Sequence, residues 1–195
     1  MIVILASESA SRLKLLNQIH LYPNRIIPAN LDETPLNKEK AQNLSARLAQ
    51  SKAEHVGLHY PEEDCLIIAA DTVAEVRQNI LPKAESNELV KYCLSQLSGR
   101  RARIYTSVCI IKKQGDQIIK RLKSVKTILK IKRLTDQEIQ SYVESREGLN
   151  KAGGFAIEGI AGGFIEFING SYSNIVGLPL FETRNLLLSL GFKFL

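Results

Sequence analysis

The chain of 195 residues lacks several features that would assign it to a class at once. No segment approaches the ~20 apolar residues that cross a bilayer, so we expect no membrane span. The opening MIVILA is short and carries no basic segment, so we expect no signal peptide and a cytoplasmic protein. The three cysteines form no CxxC pair, which argues against a disulfide framework and a structural zinc site.

Familiar catalytic motifs are also missing. No glycine is followed by lysine, so there is no Walker-type phosphate loop, and GxGxxG, GxSxG and HExxH are absent. His55 and His59 are four residues apart, but Gly57 lies between them near a predicted helix end. We interpret both histidines as surface residues rather than metal ligands.

Positive charge is in excess and unevenly spread. The formal net charge is +6, and residues 120–133 (KRLKSVKTILKIKR) hold seven basic residues and no acid. The segment suits a solvated strand whose lysines oppose edge-to-edge aggregation, or a surface for a polyanion or nucleic acid. Single-stranded nucleic acid would require aromatic stacking platforms, and this segment has no Phe, Tyr or Trp. We favour the first interpretation.

Predicted strands and helices alternate along the chain. The apolar run 65–70 (CLIIAA) predicts a buried strand that ends at Asp71, and 72–81 predicts a hairpin arm. Strand patterns also occur in MIVILA, over 103–111 and over 117–132. Helix patterns occur after a cap at Ser9 or Ser11, over 37–56, over 86–97 and after a capping box that opens at Thr135. We expect an α/β protein with a mixed sheet and flanking helices, as one domain over 1–195.

Two predicted helices carry candidate anion contacts. Ser7, Ser9 and Arg12 follow the first strand at the mouth of a helix, where backbone N–H groups and the dipole favour an anion. The alternative is a helix cap with a surface arginine. Lys52 falls inside the apolar stripe of the 37–56 helix, so it is a candidate for a charge facing a cleft. The alternative is a lysine whose stem only covers apolar surface.

Carboxylates and further lysines occupy other predicted element ends. Asp71 follows a buried strand, where a carboxylate must be solvated, paired or metal-bound. Glu33 lies in the polar corner LDETP, while Lys83 and Lys151 are possible phosphate contacts, with ordinary surface charge as the alternative for all three. Together these arginine, lysine and carboxylate side chains suit the binding of a polyphosphate. The cations would neutralise the phosphates and the carboxylate oxygens would hold Mg²⁺. A carboxylate could also take a proton from water.

The order of short motifs resembles the Maf family along nearly the whole chain. SESASRLKLL corresponds to the family's SxSPRRxxLL, and later blocks follow in order at suitable spacing. These blocks are DET at 32–34, LAQSKA at 48–53, ADTV at 70–73, PK at 82–83, LSGR at 97–100, YTS at 105–107, KAG at 151–153 and NIVGLPLFE at 174–182. Internal detail is most similar to the alpha-proteobacterial branch.

The resemblance implies a twisted mixed sheet with two lobes around a deep cleft, as in Maf and ITPase folds. It implies a cytoplasmic homodimer that hydrolyses nucleoside triphosphates to a monophosphate and pyrophosphate with Mg²⁺ or Mn²⁺. Pyrimidine nucleotides (dTTP, UTP) or non-canonical ones would be substrates, in housecleaning or restraint of division. The alternative is a non-enzymatic regulator that binds nucleotide or nucleic acid.

Roles follow from the resemblance residue by residue. Matching positions make Asp71, Lys52 and Lys83 catalytic, and Glu33 with Asp71 the metal ligands. The implied substrate contacts are Ser7, Ser9, Arg12, Thr72, Lys151 and Glu158.

Two positions depart from the family pattern. The family's paired arginines are Ser11 and Arg12 here, so one positive charge is missing. Thr72 fits the branch acting on dTTP and UTP, but that branch has glutamine where this chain has Glu158, which is closer to the branch acting on 7-methyl-GTP. An ionised carboxylate only accepts hydrogen bonds, whereas an amide also donates, so this position bears on base choice.

Overall fold

The structure is a computed structural model that describes residues 1–59 and 64–194. Within these residues seven strands form one mixed sheet in the order β2-β1-β3-β5-β6-β7, with β4 paired to β3. The strands are β1 (Ile2–Leu5), β2 (Arg25–Ile26), β3 (Cys65–Val76), β4 (Asn79–Leu81), β5 (Arg101–Gln114), β6 (Gln117–Ile131) and β7 (Ile165–Asn169). β1 pairs in parallel with β2 and β3, whereas the β3–β4 and β6–β7 pairs are antiparallel.

The helices flank this sheet, so the expected α/β class is confirmed. They are α1 (Ala10–Gln18), α2 (Ala41–Leu58), α3 (Asn87–Leu97), α4 (Asp136–Ser145), α5 (Tyr172–Val176) and α6 (Leu180–Ser189), with a 3₁₀ turn at Ile160–Phe164. In the described part of the chain, no helix is long and apolar enough to cross a membrane.

The helix ends follow local chemistry. Ser9, one of the two predicted caps, accepts from the Arg12 backbone N–H and begins α1. The capping box predicted at Thr135 and Glu138 is present at α4. Helix α2 begins at Ala41 rather than at the predicted position 37, because Lys38 has a φ of +57°, which no α-helix accommodates.

The prediction that the strand ends at Asp71 is wrong. β3 continues through Asp71 to Val76, so the predicted hairpin arm over 72–81 comprises the second half of β3, the turn and β4, which pairs antiparallel with β3. The sequence predicts the turn near Gln78 and Asn79, but it lies one residue earlier, at Arg77 and Gln78, both with positive φ. The strand tolerates a carboxylate in its middle because Asp71 has a cationic partner.

The chain divides into two compact units, each built from non-contiguous segments. Unit 1 comprises Met1–Asp71, Thr106–Val125 and Gly177–Leu195; unit 2 comprises Thr72–Tyr105 and Lys126–Val176. In unit 1 an apolar cluster packs one face of α2 (Ala49, Ala53, Val56) on β1, β3 and β5. In unit 2 a larger cluster packs α3 and α4 on the sheet. Neither unit is one contiguous stretch of chain. The single domain expected over 1–195 remains a prediction.

Candidate active site

Ser7 in the turn after β1 and the distant Gly177 hold Arg12 from two sides. The Arg12 Nη1 group donates to Ser7 Oγ over 3.1 Å, and Nε donates to the Gly177 carbonyl over 2.9 Å. Ser7 is nearly buried and also accepts from the Ser9 N–H. Both serines therefore have structural partners: Ser9 caps α1, and Ser7 orients the guanidinium.

Lys52 is the buried cation of α2. Its spacing in the helix places it on the same face as Ala49, Ala53 and Val56, and it is only 7% exposed. The predicted position inside the apolar stripe is thus confirmed. An ammonium group at such depth requires compensation by opposite charge.

Two carboxylates supply that compensation. Lys52 Nζ lies 2.6 Å from Asp71 Oδ1 on β3 and 2.5 Å from Glu33 Oε1 in the loop before α2. The Asp71 side chain is 8% exposed, whereas that of Glu33 is 38% exposed. One ammonium group therefore bridges a buried carboxylate and a carboxylate that reaches solvent.

Burial is the largest influence on the pKa of Asp71 and on that of Arg12. Desolvation raises the pKa of Asp71; Lys52 and Arg12 act in the opposite direction, and Glu33 adds to the increase. Desolvation likewise lowers the pKa of Arg12, against the attraction of Asp71 and Glu33. A carboxylate whose pKa is raised binds a proton more readily, which suits a general base.

The cluster is close to electrically neutral, since two cations face two carboxylates. A triphosphate approaching it would meet negative charge that Arg12 and Lys52 already offset. Carboxylate oxygens are donors that Mg²⁺ prefers, and this ion commonly uses only one or two of them together with substrate phosphates. Glu33 and Asp71 fit that requirement, although no group of three or more His, Cys, Asp or Glu side chains in the described residues could hold a metal alone.

The corner that carries Glu33 is held by a residue that sequence reasoning missed. Arg47 on α2 donates to the Thr34 carbonyl over 3.1 Å and makes two hydrogen bonds, of 2.9 and 2.8 Å, to Glu39. Asp32 Oδ1 accepts from the Thr34 N–H over 2.9 Å. No motif points to Arg47, because its partners come from the irregular loop before its own helix.

The remaining candidates belong to unit 2. Lys83 and Ala152 form an isolated antiparallel bridge, and the Ala84 N–H donates to the Lys151 carbonyl over 3.1 Å, so the two lysine segments lie side by side. Lys83 is exposed and Lys151 half-buried, while Thr72 is half-buried on β3 and Glu158 is exposed. The roles of these four residues remain predictions from the resemblance.

A glycine pair makes the approach of these segments possible. Gly153 has a φ of +66°, and a Cβ there would lie 2.7 Å from the Ala74 side chain. Close approach to β3 at a positive φ therefore accounts for a glycine at this position.

The mixed α/β sheet and the Arg12–Lys52–Asp71–Glu33 cluster define a protein with a charged site suited to phosphate chemistry. The family model described as Maf-like protein matches residues 2–190. The chain belongs to the Maf family, as its motifs predicted.

Two curated relatives are similar in sequence to this chain over nearly their full length. A protein of Rickettsia felis named nucleoside triphosphate pyrophosphatase is 55% identical over 98% of this chain and 94% of its own. A Rickettsia akari protein of the same name is 54% identical with the same two coverages. Among solved structures, a HAM1 protein from Coxiella burnetii gives a TM-score of 0.44 at 17% identity, covering 69% of this chain and 75% of that one. That structural similarity is too low to bear on function.

Proposed function

We propose that this protein hydrolyses nucleoside triphosphates between the α and β phosphates, releasing a nucleoside monophosphate and pyrophosphate. The observation that carries the proposal is the Lys52 ammonium bridging Asp71 and Glu33, with Arg12 held beside them by Ser7 and Gly177. The names of the curated relatives support the same activity.

Each residue of the cluster has a role in this reaction. Asp71 accepts a proton from the attacking water, whose oxygen bonds to phosphorus as the bridging P–O bond of the α–β anhydride breaks. Arg12 offers a planar fork for phosphate oxygens, and Lys52 offsets charge on the departing pyrophosphate. Ser7 and Ser9 keep the arginine and its helix end in place.

A divalent cation completes the proposed site. Glu33 and Asp71 would hold Mg²⁺ or Mn²⁺, which when bound neutralises phosphate charge and lowers the pKa of water. Binding of the ion requires the Lys52 ammonium to share or leave its carboxylate partners. We accordingly expect turnover to disappear in excess chelator and to return when Mg²⁺ or Mn²⁺ is added.

Substitution of Asp71 by asparagine tests the proposal. Asparagine keeps the size and one oxygen but cannot accept the proton, so the rate should fall at least about a hundredfold. Asp116→Asn, in the exposed turn between β5 and β6, is the matched control and should turn over normally. Circular dichroism and chromatographic separation of products complete the assay. Unchanged turnover in Asp71→Asn, or release of a diphosphate with orthophosphate, would contradict the proposal.

We propose that the substrates are pyrimidine nucleotides. Support for this preference comes from Thr72, which fits the dTTP- and UTP-acting branch, while Glu158 is the position that departs from it. The resemblance to the Maf family also leads us to propose that the protein is a cytoplasmic homodimer. Pyrophosphate release measured across dTTP, UTP, CTP and 7-methyl-GTP tests this preference. Faster turnover of 7-methyl-GTP than of dTTP and UTP would assign the choice to Glu158 instead.

A further inference from the structure

Unit 2 contains a cavity that none of the candidate site residues lines. Its volume is about 540 Å³, and four arginines dominate its walls. We call it the arginine groove; it is lined by Arg77, Arg100, Arg101, Arg103, Ile128, Phe167 and Asn169.

Strand geometry explains how these residues meet. On β5, Arg101 and Arg103 are exposed, whereas Ala102 and Ile104 between and after them are buried, as side-chain alternation requires. On the neighbouring pair, Asn169 of β7 lies opposite Ile128 of β6, so both side chains share one face. The groove is therefore the face of the sheet turned away from the core of unit 2.

Few negative groups balance the four guanidinium groups. Glu75 Oε1 lies 2.8 Å from Arg103 Nη1. Arg100 donates to the carbonyls of Ser95 and Gln96 at the end of α3. Throughout residues 1–59 and 64–194, no carboxylate forms an ion pair with Arg77, Arg100 or Arg101.

The Arg101 guanidinium lies 5.5 Å from the centroid of the Phe167 ring. This cation–π contact holds the guanidinium over an apolar floor without neutralising it. A concave site with like charges on low-dielectric walls concentrates positive potential and attracts polyvalent anions.

We propose that the arginine groove binds a chain of two or three linked phosphates, as found in inorganic pyrophosphate or in the tail of a nucleotide. The groove volume falls within the ~300–1,000 Å³ typical of small-molecule sites. Guanidinium groups bind phosphate oxygens in pairs, so several converging arginines favour several phosphates. Nucleic acid is disfavoured because Phe167 is the only ring that lines the groove, whereas single strands bind on successive rings.

The absence of tryptophan from the sequence provides a clean reporter. In a Phe167→Trp protein the single indole lies in the groove, and titration with inorganic pyrophosphate in chelator should give a saturable change in its emission. In that background Arg77→Gln and Arg101→Gln should each raise the Kd at least about tenfold, since each removes a charge-assisted contact. Lys123→Gln, an exposed lysine of β6 outside the groove, is the control and should leave the Kd unchanged.

Further ligands identify the source of the phosphates. If uridine diphosphate binds as tightly as pyrophosphate, the phosphate chain alone is recognised. If uridine diphosphate binds more tightly than pyrophosphate, the nucleoside also contributes. Either result supports the proposal. Three results would overturn it: orthophosphate binding as tightly as pyrophosphate, a response to single-stranded DNA only, or loss of the response in Arg12→Gln, which would assign the signal to unit 1. A normal response in Arg12→Gln keeps the groove separate from the proposed catalytic function.

Discussion

Replacing Lys52 with methionine removes the cation between two carboxylates while keeping a side chain of similar length. Asp71 would be left buried without its 2.6 Å partner, and its side chain is only 8% exposed. Breaking a buried ion pair by removing one partner costs about 3–5 kcal/mol of folding free energy. Glu33, at 38% exposure, can turn to water and should add little.

The chain offers a matched control. Lys120 Nζ lies 2.8 Å from Glu54 Oε1, nearly the same distance, but both side chains are more than 40% exposed. Exposed pairs contribute little because solvent screens the charges. Lys120→Met should therefore leave the free energy of unfolding almost unchanged, so burial is the variable that separates the two substitutions.

Urea unfolding at pH 8 and pH 5 measures both effects. Removing Lys52 takes away a charge that lowers the pKa of Asp71, so this already raised pKa increases further. The folded state then binds a proton more readily than the unfolded state, and the free energy of unfolding rises as pH falls. The cost of Lys52→Met should thus be smaller at pH 5 than at pH 8. Equal costs for the two methionine variants, or a cost that does not change with pH, would refute this account.

Two further predictions concern the charges around Asp71 and the crowding around Gly153. The negative charge of Glu33 raises the pKa of Asp71 and the positive charge of Arg12 lowers it. The acidic limb of the kcat/KM profile should therefore move to lower pH in Glu33→Gln and to higher pH in Arg12→Gln; shifts in the same direction would exclude Asp71 as the titrating base. Gly153→Ala should cost about 1–3 kcal/mol in urea unfolding, because its methyl group would overlap a β-strand side chain at a positive φ. Gly115→Ala has a similar φ with nothing within 4 Å and should cost less; equal losses would remove crowding from the explanation.

The position of Lys52 and the cap of α1 could be predicted from the sequence because their signals are local. Helical periodicity alone placed Lys52 on the buried face of α2, since a rotation of 100° per residue needs no knowledge of the partners. The cap at Ser9 follows from serine chemistry at the start of an apolar-periodic segment. The residues around Asp71 and Glu33 made both carboxylates candidates, and the family motifs added their roles without giving any distance between them.

The misplaced end of β3 shows where local signals fail. A carboxylate after six apolar residues must be solvated, paired or metal-bound, and the pattern predicts that the strand ends at Asp71. The strand continues because Lys52, nineteen positions earlier, satisfies the charge inside the protein. A pairing over that separation depends on the packing of α2 on the sheet, which propensity and periodicity do not encode.

The arginine groove lay beyond sequence reasoning for a similar reason. The basic segment that the sequence displays is 120–133, where the charge is contiguous. The arginines that line the groove instead come from the β3–β4 turn and the start of β5, and Phe167 comes from β7. Only the register of the sheet brings them to one face.

The Gly177 carbonyl that accepts from Arg12 Nε lies 165 positions further along the chain than the arginine. A nascent polypeptide on the ribosome therefore has Arg12 long before it has Gly177. Truncated products that stop before this glycine would carry a guanidinium without its second anchor. Assembly of the candidate catalytic centre in unit 1 thus depends on a segment made much later than the arginine itself.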